Sequence, residues 1–225
     1  MKAHLLLGFL LALALASAGA APPATPERSI CDGTEIAVVG ATAADFKDVC
    51  HGVLAARKFL MAMGLPGEPA LTLEVTAQLP DAVGPGAAGC FMQESRRAYV
   101  LPYAHFQKRR TWFGVPITRA LYRSLASHET AHAIAACHFT AREPSIQAKE
   151  YVAYVTMFST MPPDLRAKAL RAMPGTGFSA IERVSSFVYL FDPMQFGANA
   201  YRHFLSVDNP SALLADVMSG KVLSE

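Results

Sequence analysis

The chain is poor in charge. Lys and Arg number 20 against 18 Asp and Glu, a formal net charge of +2, and charged residues make up 17% of the 225. So small an excess argues against a nucleic-acid binder that works by neutralising phosphates. Few charges beside 52% hydrophobic residues also exclude intrinsic disorder. Heptads, a collagen period and repeat arrays are lacking. Past the N-terminus no apolar run is long enough to be a membrane span. Cysteine is scarce: Cys31, Cys50, Cys90 and Cys137, with no CxxC, so neither a zinc ribbon nor a thioredoxin-type site is suggested. The Gly-rich stretch 84–89 is not followed by Gly-Lys-Ser/Thr and is no P-loop. Ser185, Ser186 and Ser206 have no nucleophile-elbow context, which leaves a serine hydrolase unsupported.

The N-terminus has its own pattern. Lys2 is followed by an apolar run from Leu5 to about Ala16 and then by Ala18-Gly19-Ala20. A basic start, a short apolar run and a small-x-small end describe a secretory signal peptide over residues 1–20. No Cys stands at the cleavage site, which argues against a lipid anchor. Export to a periplasm or to the outside is expected, with no membrane span after cleavage. Residues 21–29 are Pro-rich and read as a flexible leader, and 30–225 as a single domain. In an oxidising compartment four thiols predict at least one disulfide, with three possible pairings.

The rest reads as α+β, a small mixed sheet with one helix and then a helical half. Glu35–Val39 is a short apolar run ending at Gly40, a strand. Ala41–Met63 carries a helical apolar stripe that Gly64 and Pro66 stop. Leu71, Leu73 and Val75 alternate with polar residues, as a strand does. Residues 81–89 form a loop, and Cys90–Gln93 with Ala98–Leu101 form a hairpin. Lys108-Arg109-Arg110 is expected to be a solvated turn. Pro116 suits a first helical turn, and Thr118–Cys137 contains no Gly or Pro. Further helices are expected over Ser145–Ser159, Asp164–Met173, Ala180–Leu190, Met194–Leu205 and Ser211–Ser219, with Met161-Pro162-Pro163 ending the first of these.

Within the Thr118–Cys137 helix stands His128-Glu129-Thr130-Ala131-His132, an HExxH motif. Residues four apart on a helix are separated by about 40°, so both imidazoles can bind one metal from one face. Glu129, about 100° from His128, flanks that face and can reach a metal-activated water without ligating the metal. The neighbours Ala126, Ser127, Thr130, Ala131, Ala133 and Ile134 are all uncharged, as the packed floor of a metal site requires.

From Cys90 to Phe158 the order of hairpin, HExxH helix and second helix resembles the zincin metallopeptidases. The resemblance implies a zincin-like fold and Zn2+ held by His128 and His132. It also implies Glu129 as the base that activates the attacking water, and a peptide or protein substrate. A catalytic zinc site needs a third protein ligand. His138 has the spacing of the metzincin branch, but that branch places Gly where this chain has Ala135. If the helix continues, His138 is turned about 240° from His132 and points away. Glu150, on the second helix, resembles the third ligand of the gluzincin branch and is preferred; Glu143 in the connecting turn is a weaker choice. Tyr201 and His203, from the helical half, are candidates for steadying an oxyanion, as a His or Tyr does in the resembling peptidases. The leading expectation is an exported zinc metallopeptidase-like hydrolase. The alternatives are an inert zinc-holding accessory protein of the same fold and a non-peptidase zinc hydrolase.

Overall fold

Five strands make one mixed sheet: β1 (Arg28–Ile30), β2 (Ala37–Val39), β3 (Thr72–Val75), β4 (Gly89–Met92) and β5 (Arg97–Val100), ordered β1-β2-β3-β5-β4. They belong to a computed structural model that describes residues 28–67, 70–84 and 86–224. The expected signal peptide and leader residues 21–27 lie outside the described residues. Arg28 and Ser29, read as the end of the leader, instead pair with Val39 and Val38 in β1. β2, β3 and β5 run parallel, and β1 and β4 are antiparallel edges. The alternation at 71–75 sends Leu73 and Val75 into the core and leaves Thr72 and Glu74 half-buried. Residues 93–96 close the expected hairpin between β4 and β5.

Helix α1 (Ala43–Ala62) connects β2 to β3, and Thr42 caps it by accepting from the Asp45 amide at 3.1 Å. After β5 come a five-residue helix α2 (Tyr103–Gln107) and a hairpin of β6 (Thr111–Trp112) and β7 (Val115–Pro116), none of which the sequence pattern announced. Pro116 therefore ends a strand rather than opening a helix. The hairpin turns at Phe113 and Gly114, both at positive φ, and drives the buried Phe113 ring against Tyr154 and Phe158, at 5.8 and 5.1 Å. Arg109 is also more than a solvated turn residue, because its guanidinium donates to the carbonyls of Gly86 and Ala87 in the preceding loop.

The helical half comprises α3 (Arg119–Ala136), α4 (Ile146–Thr160), α5 (Pro163–Ala172), α6 (Ser186–Phe191), α7 (Pro193–Ser206) and α8 (Pro210–Ser219), which with α1 and α2 makes eight helices among the described residues. The helix expected over Ala180–Leu190 is not continuous. A single 3-10 turn at Ile181–Arg183 is followed by extended Val184, which is buried, and Ser185 then caps α6 by accepting from the Val188 amide. Burying Val184 and capping at Ser185 displace the helical path there. No described helix is long and apolar enough to cross a membrane.

α3 packs against α1, α4 and the β4–β5 hairpin. Its first turns are pinned to α1 by charge. Arg119 reaches Asp45 at 2.6 Å and Asp48 at 3.0 Å, Arg123 reaches Asp48 at 2.6 Å, and the Arg119 guanidinium lies 3.9 Å above the Tyr103 ring. The two aspartates are buried while the arginines keep solvent contact, so the net gain is screened to the order of 1 kcal/mol per pair.

One disulfide joins Cys31, just after β1, to Cys50 in α1, at a sequence separation of 19. Closing a loop of that size constrains the unfolded chain by about 3 kcal/mol. Replacing both cysteines by Ser is expected to lower Tm by about 6–12 °C in a domain of this size, measured by calorimetry. An unchanged Tm would show that the pairing contributes nothing to the fold. Cys90 and Cys137 are unpaired; Cys137 is exposed at the end of α3 and faces a small groove with Leu71, Phe91 and Arg96.

Candidate metal centre

The two site helices are started by hydroxyl caps. Thr118 accepts from the Leu121 amide at 3.3 Å to begin α3, and Ser145 accepts from the Ala148 amide at 3.2 Å to begin α4. The helices pass each other antiparallel: Ser127, midway along α3, meets Thr160 at the end of α4 at 2.8 Å, while His132, further along α3, meets Glu150 near the start of α4. α3 runs unbroken through the buried Ala135 and ends only at Ala136. Ala has the best helix propensity and nothing forces a break there.

The consequence is a triangle of ligand atoms. His128 and His132 turn their Nε2 atoms inward, 3.1 Å apart. The Glu150 oxygens lie 3.6 Å from the first and 3.5 Å from the second. Tetrahedral bonds of about 2.0–2.1 Å place neighbouring ligand atoms about 3.3–3.4 Å apart, so the three edges suit a zinc ion at their centre. The donor set, two imidazoles and a carboxylate, is also one that zinc accepts in a catalytic site. These three residues form the group among the described residues that can hold a metal ion. His138 is not in it. The backbone leaves α3 at Cys137, and His138 donates its amide to the Ala135 carbonyl beyond the helix end. Glu143 is exposed in the turn before α4.

Glu129 is buried, and its carboxylate lies beneath the start of the edge strand β4. A Cβ at Gly89 would fall 2.6 Å from Glu129 Oε1 and 2.6 Å from the Tyr99 carbonyl oxygen, so only glycine leaves room for the carboxylate. Glu129 Oε2 has no hydrogen-bond partner among the described residues.

Burial sets the protonation of the cluster. It pushes His128 well below the ordinary histidine range, with a further push from His132, and His132 down to about 4, helped by Lys149. Both imidazoles are thus neutral, the form that ligates. Burial likewise raises Glu129 well above the usual carboxylate range, with Glu150 adding to it. Burial raises Glu150 to about 7, against the opposing hydrogen bond from Tyr189 and the charge of Lys149. Two carboxylates so placed call for a cation. Deprotonated Glu150 falls from about nine-tenths to about one-tenth between pH 8 and pH 6, so affinity for a divalent metal is expected to weaken about tenfold over that interval from this group alone. Chelator competition at the two pH values measures it, and equal affinities would remove Glu150 from the binding step.

Tyr201 and His203 are engaged elsewhere. Tyr201 stacks on Phe158 at 5.3 Å beneath Arg166, and His203 pairs its Nδ1 with the Tyr151 hydroxyl at 2.7 Å. Tyr151 is turned about 100° from Glu150 on α4, so His203 meets another face of that helix. The tyrosines that border the triad are others. Tyr189 of α6 stands beside Glu150 and acts on its protonation, and the Tyr154 ring lies 4.5 Å from that of His128. Tyr154 could have been found from its spacing, four residues after Glu150. Tyr189 carried no such signal, because its approach depends on how residues 173–185 fold back.

Residues 36–225 match the model of a family described as a family of unknown function (DUF6639). No curated protein and no solved structure matches the chain.

Proposed function

We propose that this chain, which belongs to the DUF6639 family, is an exported zinc-dependent metallopeptidase-like hydrolase of zincin-like fold, with a gluzincin-type ligand set. The observation that carries the reading is the triangle of His128, His132 and Glu150, with Glu129 on the same helix as the two histidines. His128, His132 and Glu150 would hold Zn2+. When bound, zinc acidifies a water and polarises the carbonyl to be attacked. Glu129 takes the proton from the attacking water on its unpartnered Oε2 and hands it to the leaving amine. Burial raises the basicity of this carboxylate above that of an exposed one, the direction a general base needs. Tyr189 borders the site beside Glu150 and helps keep that carboxyl ionised.

The edge strand β4 begins against Glu129 at Gly89 and pairs with β5 on one side, so its other edge offers main-chain groups to an extended peptide. Export rests on the N-terminal pattern and agrees with the disulfide.

The test is zinc analysis of the purified protein together with turnover of a broad peptide library. One zinc per chain and hydrolysis of a library member support the reading. Zinc without peptide turnover overturns the peptidase reading and leaves the inert accessory protein and the non-peptidase zinc hydrolase, and a chain that takes up no zinc overturns all three.

A further inference from the structure

A histidine that binds a metal through one nitrogen is ordinarily oriented by a hydrogen bond at the other. His128 lacks this: its Nδ1 is buried and makes no hydrogen bond among the described residues. Something else must fix its ring plane. The ring of Tyr154 lies against it, with centroids 4.5 Å apart and planes inclined at 57°. Tyr154 is itself buried and cannot easily turn, because Phe113 and Phe196 stand at 5.8 and 6.2 Å. Its ring is also seated directly on the backbone of α7. A Cβ at Gly197 would fall 2.6 Å from Tyr154 Cδ1 and 2.8 Å from Cγ, closer than any side chain tolerates.

We propose that Tyr154 and Gly197 are positioning residues for the metal centre: Gly197 lets α7 back the Tyr154 ring, and the ring holds His128 in the orientation that ligates. This rests on the zinc reading of the triad. Packing replaces the hydrogen bond, and the placement of α7 is thereby transmitted to a ligand that α7 does not touch through a polar group. The aromatic ring does the work, not the hydroxyl.

Zinc affinity by chelator competition tests this without any assay of turnover. Gly197→Ala drives the Tyr154 ring toward His128 and is expected to weaken zinc by about 10–100-fold, the cost of disturbing a supporting residue. Tyr154→Ala is expected to weaken it similarly, and Tyr154→Phe to stay close to wild type. The decisive variant is Tyr154→Ala combined with Gly197→Ala. Without the ring, an alanine at 197 has nothing to displace, so the double variant should be no weaker than Tyr154→Ala alone. Additive losses, or wild-type affinity in a folded Gly197→Ala protein, would overturn the proposal. Should Gly197→Ala not fold, equal affinities of Tyr154→Ala and Tyr154→Phe would overturn it instead. A wild-type chain that binds no zinc overturns the zinc reading and this inference together, whereas the other failures leave that reading standing.

Discussion

Glu129→Gln is expected to keep zinc and fold but to lose peptide hydrolysis by about 10²–10⁴-fold, the value of general-base assistance. Gln has the shape of Glu, so it still fits beneath Gly89, where the space admits a planar three-atom group and no Cβ from the strand. It cannot accept a proton from water at neutral pH. The change touches no ligand, since His128, His132 and Glu150 supply the three inward atoms. Stability should move little, because the wild-type carboxyl already pays for its burial and an amide carries no charge to bury. Initial rates on the best library peptide, with zinc content measured on the same sample, check the result. Unchanged turnover would move the chemistry away from Glu129.

Glu150→Ala is expected to release zinc at much lower chelator concentrations, a loss beyond the about 10–100-fold that a supporting residue is worth. Two imidazoles four residues apart on α3 remain, but the third corner of the triangle is gone. His138→Ala in parallel should leave affinity unchanged, since His138 sits past the end of α3 and outside the ligand group. The contrast between these variants distinguishes the two branches of zincin ligand set. A His138→Ala protein that loses zinc while Glu150→Ala keeps it would place the third ligand after a break in α3 and reverse the assignment.

Much of the centre was legible because it depends on helical spacing. His128 and His132 share a face on any continuous helix, and Glu129 flanks it. The continuity of that helix was equally local, since Ala135 has no reason to leave the helical conformation. That argument disfavoured His138 and left Glu150. The strand at 71–75 was readable from alternation, and α4 from the Pro162-Pro163 pair that follows it. Where competing signals lay close together, the reading failed. Ser185 is a cap in the middle of the stretch taken as one helix, and Val184 leaves the helix to be buried.

Composition, the HExxH face and the unbroken α3 were determined by the sequence itself, because the two site features rest on residues within a few positions of one another. Which cysteines pair was not, since four thiols allow three pairings and only the approach of α1 to the end of β1 selects Cys31 with Cys50. The supporting residues belong to the same class. Gly89 faces Glu129 from β4, Tyr189 reaches Glu150 from α6, and Gly197 backs Tyr154 from α7. In each pair the partners stand some forty residues apart along the chain. What brings them together is the packing of whole helices and a sheet edge, and no local propensity records which surfaces will meet.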